Sequence, residues 1–505
     1  MMMHSIRGKL SNIAWFISMI IMFLIVASSI RGLVKGSVYA FFLTIPFAIA
    51  FWIIVVRTKQ RFSKRSLFFL RHAISLLATF IISYFGCVYY SWDWGQLNHT
   101  AIQVAKGIGN DNPIYYLRYP NNQFWLSVLT VLCKTIRFVL GNVPDRVYQA
   151  ASILFAIVMV RFSCLLIYKT CLIKFGEQRA TFCDLALLLF SPLYLYAFFS
   201  YTDTAGLLCI SSAVYLFSKH DKQCKEAKDN HRVFYVVCLA LLISLTAKIK
   251  ILCILVFLAK IISDLLDSQR KLLSVMIEWS MAIALSLVFF LIFGLLSASI
   301  NQLPDNQNKK YEFSAAHFIM MGLGKTGGYQ QEDVDYSISF DSYDERIEAN
   351  VREIGNRLKQ RGIGGTLQHI FGVKMLRTWG NSALAGDDYM SRNPVFPNSI
   401  IERFFGIRGD LHPVFLFFSW MYYILLIVGC LISPLSAENH RIDYEVLSIV
   451  GITLFLMIWE CNSRYLFTYT PVIFLCSMNG WSRLYELIRQ NEFNVRKGYF
   501  RLGQR

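Results

Sequence analysis

The sequence contains no CxxC pair and no cluster of cysteine and histidine at the spacing of a zinc site. That absence excludes the common structural zinc modules and leaves no sign of a disulfide framework. Most of the twelve cysteines lie inside apolar runs, where a cysteine behaves as a small buried residue. No small-residue cleavage site follows the first apolar run, so we expect no cleavable signal peptide.

The sequence also lacks a short internal repeat and lacks the related halves that many transporters show. In a soluble protein, a formal net charge of +18 would suggest nucleic-acid binding, but the sequence contains no known nucleic-acid-binding module. The basic residues lie mainly in short loops and near the C-terminus, which is the pattern of cytoplasmic anchoring. We therefore expect membrane lipids, and no nucleic acid, as partners.

Apolar residues are abundant and clustered. They make up 55% of the chain, against roughly 45–50% in a soluble domain, and they form runs near the ~20 residues that cross a bilayer. The sequence therefore predicts an all-α polytopic membrane protein with about 12 transmembrane helices. The predicted spans are 13–30, 37–56, 69–90, 146–168, 181–199, 204–218, 233–248, 250–266, 275–298, 412–433, 445–459 and 466–485.

Lysine and arginine in the loops set the orientation. The basic segments 57–65, 219–232 and 489–505 are predicted to be cytoplasmic. The chain is then a multi-pass protein of the cell membrane with both termini in the cytoplasm. Arg31 and Lys35, in the first outer loop, are exceptions to this bias.

The stretch 124–140 is apolar enough to be taken for a span, but it carries Lys134 and Arg137. Counting it as a span would place the basic segment 219–232 outside. We therefore predict an amphipathic helix lying in the membrane interface, with a similar short helix at 96–107.

Four parts of the chain follow from this topology. Residues 1–68 form two additional N-terminal transmembrane helices, and residues 69–298 form a transmembrane core with an outer loop at 91–145. Residues 299–411 have the charge and glycine content of a small mixed extracytoplasmic segment. Residues 412–505 form the C-terminal helices and a basic cytoplasmic tail.

Several ionisable residues fall at the outer ends of predicted helices, where the loops are very short. Ionisable groups near the bilayer are costly and usually face a cavity. Such a set could support sugar transfer from a polyprenyl phosphate, which needs a carboxylate base and a cation for the departing phosphate. The residues are Asp93, Asp203, Lys248, Lys250, Glu460 and Arg464.

Short motifs in the same order resemble the GT-C superfamily of membrane glycosyltransferases, which includes protein O-mannosyltransferases, GPI mannosyltransferases and the aminoarabinose transferase of lipid A. The likeness covers roughly residues 69–485. The stretch His317–Leu323, with Gly327-Gly328-Tyr329, resembles uncharacterised Gram-positive members. The other motifs are Tyr90-Ser91-Trp92-Asp93-Trp94-Gly95, Tyr115-Tyr116-Leu117-Arg118-Tyr119-Pro120-Asn121-Asn122, Tyr201-Thr202-Asp203, Thr246-Ala247-Lys248, and Glu460 with Arg464 and Tyr465.

The resemblance implies an inverting transferase whose active site lies on the extracytoplasmic face. It implies a polyprenyl-phosphate sugar donor and a glycan, lipid or protein acceptor. Asp93 would be the general base and Asp203 would orient the acceptor or a donor hydroxyl. Arg118, Lys248 and Arg464 would bind the donor phosphate. The residues expected to bind substrate are Tyr119, Asn121, Asn122, His99, Glu460 and Tyr465.

The sequence departs from many relatives after the loop aspartate, where Glu and Arg are replaced by Trp94 and Gln96. Arg118 and Lys248 are therefore the better candidates for the phosphate. We expect no cofactor and predict no metal ligands, and the sequence leaves a divalent metal requirement open. Gly324-Lys325-Thr326 is similar to the end of a P-loop, but Ile319 stands where that loop needs glycine, so we interpret it as a glycine turn.

Two rival functions stay open from the sequence. A flippase for lipid-linked oligosaccharide, or another transporter, would need charges at mid-membrane depth, for which Arg161, Asp184, Lys260 and Glu278 are the candidates. A polysaccharide polymerase or ligase shares the chemistry of the outer face.

Overall fold

The computed structural model describes residues 2–36, 42–44, 46, 50, 65–225, 232–267, 269–301, 303, 309–435 and 442–502. Over these residues the chain is helical, with one isolated β-bridge between Val88 and Pro394. The predicted all-α fold is confirmed. The predicted span 37–56 and the basic segment after it lie mostly outside the described residues.

In chain order the main helices are α1 (Met2–Gly36), α2 (Arg65–Phe85), α3 (Trp92–Lys106), α4 (Gln123–Leu140), α5 (Asp145–Phe175), α6 (Glu177–Leu189), α7 (Thr202–Lys225), α8 (Arg232–Ile249), α9 (Ile254–Leu266), α10 (Leu272–Asn301), α11 (Ala315–Gly322), α12 (Gln331–Ile338), α13 (Tyr343–Gln368), α14 (His412–Leu435), α15 (Tyr444–Ile458) and α16 (Thr470–Leu502).

Within the described residues, seven helices are long and apolar enough to cross a membrane. The predicted number of twelve stays a prediction, because several predicted spans form shorter helices, such as α9 with 13 residues and α15 with 15. The predicted span 181–199 is divided, since α6 ends at Leu189 and a short helix starts at Pro192, which cannot donate a backbone hydrogen bond. The seven helices are Arg7–Gly36, Phe68–Phe85, Pro120–Leu140, Asp145–Phe175, Arg232–Ile249, Leu272–Asn301 and His412–Leu435.

Charged residues collect at two opposite ends of the helix bundle. At the start of α7, Asp203 pairs with Lys250, which follows the end of α8. Near the other end of α7, Asp221 pairs with Lys260 of α9 at 2.9 Å. We call the first the site end and the second the distal end.

Helix α4 has both of its termini at the site end. In its first turn, Trp125 donates a hydrogen bond to the carbonyl of Ser200, two residues before α7 (3.2 Å). In its last turn, Arg137 donates a hydrogen bond to the carbonyl of Ala105, in the last turn of α3. The next residue of α3, Lys106, is ion-paired with Asp145 at the start of α5. Helix α5 then runs to the distal end, where Lys174 pairs with Glu445. The predicted surface position of 124–140 stays a prediction, because its length and composition would also allow it to cross.

The described part of the segment 299–411 consists of helices and turns. The predicted helix 345–360 lies within α13, which begins with a capping box formed by Ser342 and Glu345. Arg346 is buried and donates to four backbone carbonyls, which ties α13 to the chain on either side of α12. The segment packs over the site end, where the amide of Glu460 donates to the carbonyl of Phe318 (3.1 Å).

Candidate active site

Asp93 lies in the first turn of α3 and is held by two tyrosine hydroxyls. Tyr115 donates to its Oδ1 at 2.7 Å, and Tyr201 donates to its Oδ2 at 3.2 Å. Burial, and then the Asp93 carboxylate, hold the pKa of Tyr115 well above its usual range, so this hydroxyl stays a donor. The carboxylate is thereby fixed in orientation, and no lysine or arginine among the described residues forms an ion pair with it.

The residue before Asp93 has an unusual backbone conformation. Trp92 has a φ of 45°, which is rarely adopted by a bulky residue. Its ring packs against Phe199, Tyr201 and Tyr389, with centroids 5.4, 5.1 and 4.8 Å away. Strained conformations persist where the surrounding packing fixes them, and they concentrate at functional sites.

Asp203 forms the anionic centre of a second group. It lies in the first turn of α7, where the helix dipole favours a carboxylate, and it is 1% exposed. Lys250 is ion-paired with its Oδ1, and the Nε of Arg464 lies 3.6 Å from its Oδ2. Two cations therefore share one buried carboxylate.

Arg464 connects the two groups. Its guanidinium lies 5.1–5.6 Å from the ring centroids of Trp92, Tyr201, Tyr389 and Tyr465. It also donates a hydrogen bond to the hydroxyl of Tyr389 at 3.0 Å. Tyr201 contacts both Asp93 and Arg464, so the two carboxylates belong to one connected site.

Glu460 is the third carboxylate of the site. It is 9% exposed and accepts a hydrogen bond from Tyr465 at 3.3 Å. Burial raises the pKa of Glu460 above its ordinary value, and the Asp93 carboxylate adds to the rise. A carboxyl group of this kind can hold or release a proton closer to neutral pH than an exposed glutamate can.

Arg118 lies at the edge of the site. Its guanidinium lies 5.5 Å from the ring centroid of Phe313, and its side chain donates no hydrogen bond among the described residues. The neighbouring Tyr119 ring packs against Tyr115. Asn122 donates to the hydroxyl of Tyr115 at 2.8 Å and accepts from Asn121. The motif Tyr115–Asn122 thus bonds Asp93 through Tyr115 and carries Arg118 three residues farther along the chain.

Two of the predicted site residues lie apart from this cluster. His99 forms an ion pair with Asp111 at 3.1 Å, farther along α3. Lys248 lies over the ring of Phe290 at 3.7 Å, whereas Lys250 reaches Asp203. The roles predicted for His99 and Lys248 stay predictions.

Four residues that complete the cluster were given no role by the sequence analysis: Tyr115, Tyr201, Tyr389 and Lys250. Tyr115 and Tyr201 lie within the quoted motifs and Lys250 was among the ionisable residues, and a search for hydroxyl donors to Asp93 could have found the two tyrosines. Tyr389 carried no signal, because it arrives from the segment 299–411.

Three of the four charges considered for a transport path lie against a titratable side chain of opposite charge, whereas Arg161 donates to the hydroxyl of Ser75 and lies over the ring of Tyr194. Asp184 pairs with Arg71 at 3.0 Å, and Lys260 with Asp264 at 2.8 Å. His220 lies 3.2 Å from Glu278. No group of three potential metal ligands occurs among the residues that the structure describes.

The model of a family described as "conserved hypothetical integral membrane protein" matches residues 5–484. No curated protein matches the chain. Among solved structures, the oligosaccharyltransferase AglB from Archaeoglobus fulgidus, in complex with an inhibitory peptide and a dolichol-phosphate, is similar at 12% identity and a TM-score of 0.44. The match covers 84% of this chain and 52% of that one.

A second structure of the Archaeoglobus fulgidus oligosaccharyltransferase, tethered to an acceptor peptide containing the NVT sequon, is similar at 13% identity and a TM-score of 0.42. The match covers 83% of this chain and 50% of that one. The chain thus spans about half the length of these enzymes, and similarities at this level assign no activity to it.

Proposed function

We propose that this protein, which belongs to the conserved hypothetical integral membrane protein family, is a membrane glycosyltransferase. It moves a sugar from a polyprenyl-phosphate donor to an acceptor on the extracytoplasmic face, with both termini in the cytoplasm. The acceptor is a cell-wall polysaccharide, a glycolipid or a protein. One observation carries the proposal: Asp93 accepts hydrogen bonds from two hydroxyls, one of them in the motif whose Arg118 side chain donates no hydrogen bond among the described residues.

In the proposed reaction, Asp93 is the general base. It takes the proton of an acceptor hydroxyl while that oxygen forms a bond to the anomeric carbon of the sugar. The bond from the anomeric carbon to the phosphate oxygen breaks, and its electron pair leaves with the polyprenyl phosphate. Attack opposite to the leaving group inverts the anomeric configuration. The hydroxyls of Tyr115 and Tyr201 hold the carboxylate in the orientation needed for proton transfer.

Arg118 is the group that we assign to the departing phosphate. A guanidinium can bind a phosphate through two parallel hydrogen bonds, and that of Arg118 donates none within the described part of the chain. Tyr119, Asn121 and Asn122 lie beside it and are proposed to contact the sugar. Lys248 is proposed to approach the phosphate from the side of α10.

The arrangement around Asp203 supports a positioning role for the predicted donor-binding Arg464. Its guanidinium already contacts Asp203 and donates to Tyr389. Arg464 is therefore proposed to hold Asp203 in place, and not to bind the phosphate through two hydrogen bonds. Asp203 is proposed to orient a hydroxyl of acceptor or donor, with Glu460 and Tyr465 beside it. His99 is proposed to contact substrate from the rim of α3.

The test is a panel of polyprenyl phosphates, each carrying a different labelled sugar, incubated with the purified protein and a membrane extract as acceptor. We expect release of unlabelled polyprenyl phosphate with one donor and an inverted linkage in the product. Retention of the donor's configuration would contradict direct attack by the acceptor. No turnover with any donor would contradict the proposed function.

A further inference from the structure

The glycine-rich stretch 322–328 lies directly against the loop that carries Glu460. The amide of Cys461 donates to the carbonyl of Gly327 at 2.8 Å, next to the bond between Glu460 and Phe318. Backbone from the segment 299–411 therefore contacts the residues on which the position of Glu460 depends.

Two cations hold the same loop through its carbonyl groups. Lys374 donates to the carbonyl of Trp459 at 2.8 Å, and Arg377 donates to that of Cys461 at 3.0 Å. These carbonyls flank Glu460 on both sides. Lys374 is 1% exposed, and burial lowers its pKa to about 8, so burying this amine has a cost that its bond to the loop offsets.

The glycines make room for these two side chains. A Cβ at residue 322 would lie 2.8 Å from the Nζ of Lys374, and a Cβ at residue 328 would overlap the guanidinium of Arg377. Gly327 has a φ of +70° and would place a Cβ 2.8 Å from the Cγ of Lys374. Lys325, within the same stretch, is exposed.

We infer that Lys374 and Arg377 are positioning residues, which hold the loop Trp459–Cys461 against the glycine-rich stretch and so place Glu460 in the active site. This inference rests on the proposed function for its effect on sugar transfer. It also gives a role to the stretch that is similar to a P-loop, because its glycines leave space for the side chains of Lys374 and Arg377. A displacement of about 1 Å in a catalytic site can cost about 10²-fold in rate.

The experiment compares Lys374→Met and Arg377→Met with Lys325→Met, which removes an exposed lysine from the same stretch. The first readout is alkylation of Cys461 by N-ethylmaleimide in the purified full-length protein, followed by mass spectrometry of its peptide. Cys461 is fully buried in the held loop. Alkylation of Cys476, buried within α16, reports on global unfolding.

We expect Cys461 to react about tenfold faster in the first two variants, through local opening of the loop, with Cys476 unchanged. The turnover number for sugar transfer should fall about 10- to 100-fold, with little change in the donor KM. Arg377→Lys should retain more turnover than Arg377→Met, because it can still donate one hydrogen bond. Lys325→Met should match the wild type in both readouts.

Unchanged alkylation of Cys461 in both methionine variants would overturn the inference, as would faster alkylation with full turnover. The alkylation readout needs no substrate, so it tests whether Lys374 and Arg377 hold the loop even if the wild type transfers no sugar. Absence of transfer by the wild type would refute the proposed function separately. Should Cys476 also become reactive, Gly328→Ala decides instead, with Gly355→Ala as its control, since a Cβ at residue 355 meets nothing within 4 Å.

Discussion

The site end and the distal end of the bundle both concentrate charge, but they satisfy it differently. At the distal end, carboxylates and cations pair with one another: Lys260 contacts Asp221 and Asp264, and Arg270 contacts Asp264 at 2.7 Å. At the site end Asp203 is also ion-paired, but Asp93 is bonded by neutral hydroxyls and Arg118 donates no side-chain hydrogen bond among the described residues.

This difference separates structural charge from charge available for chemistry. A buried ion pair that is complete stabilises helix packing at best modestly, but losing one partner is costly. A carboxylate that is not ion-paired can accept a proton from a substrate hydroxyl, and an arginine with unused donors can bind an anion. Changes at the two ends should therefore affect different properties.

The largest effect is expected at Asp93. Asp93→Asn preserves size but removes the base, so the turnover number should fall by roughly 10²–10⁴-fold. Expression should stay near normal. Asp221→Asn, at the distal end, is the matched control and should transfer sugar at close to the wild-type rate. An Asp93→Asn variant with half of the wild-type turnover would remove Asp93 from the mechanism.

The next largest effect is on stability at the distal end. Lys260→Met removes the cation shared by Asp221 and Asp264, and we expect a loss of about 3 kcal/mol in the free energy of unfolding. The remaining pair between Arg270 and Asp264 keeps the loss at the low end of the range. Thermal unfolding in one detergent measures this change. Loss of transfer without loss of stability would instead assign Lys260 to the reaction.

A smaller effect is expected at Arg118, in the donor phosphate site. Arg118→Ala should lower transfer about 10- to 100-fold, and Arg118→Lys should lower it less, because lysine keeps the charge but loses the bidentate geometry. Arg392→Lys is the matched control for Arg118→Lys, because Arg392 is already paired with Asp388, and it should leave transfer unchanged. Wild-type turnover and KM in Arg118→Ala would refute the phosphate role.

The smallest effect concerns pH. Burial lowers the pKa of His317 to about 4, below its ordinary value of about 6.5. Between these values the unfolded chain binds more protons than the folded one, so stability is full above pH 6.5 and is lost as the pH falls towards 4. At pH 5.5 the loss should be about 1 kcal/mol.

His317→Gln should remove this acid-sensitive part of the unfolding free energy. The distal-end change His220→Gln should not remove it, because His220 lies against Glu278 instead. Equal acid sensitivity in His317→Gln and the wild type would contradict the pKa assigned to His317.

The sequence predicted the helical fold and the convergence of Asp93, Asp203, Glu460 and Arg464, because all four lie at helix ends on one side of the predicted topology. It did not distinguish Lys250 from Lys248. That choice depends on α8 ending at Ile249 and on the extended backbone of Lys250, with a φ of −158°. Tyr389, Lys374 and Arg377 come from the segment 299–411, and their contacts with residues 459–464 depend on long-range packing that carries no local pattern.

Cleavage of a sugar from its lipid carrier is the reaction that we propose for the site end. The direct measurement uses proteoliposomes containing the purified protein, the acceptor identified from the donor panel, and a polyprenyl phosphate labelled in both its sugar and its lipid. We predict that one polyprenyl phosphate appears for each sugar joined to acceptor, and that Asp93→Asn abolishes both products together. Movement of the intact donor to the opposite leaflet, with no free polyprenyl phosphate, would contradict the claim and identify a transporter.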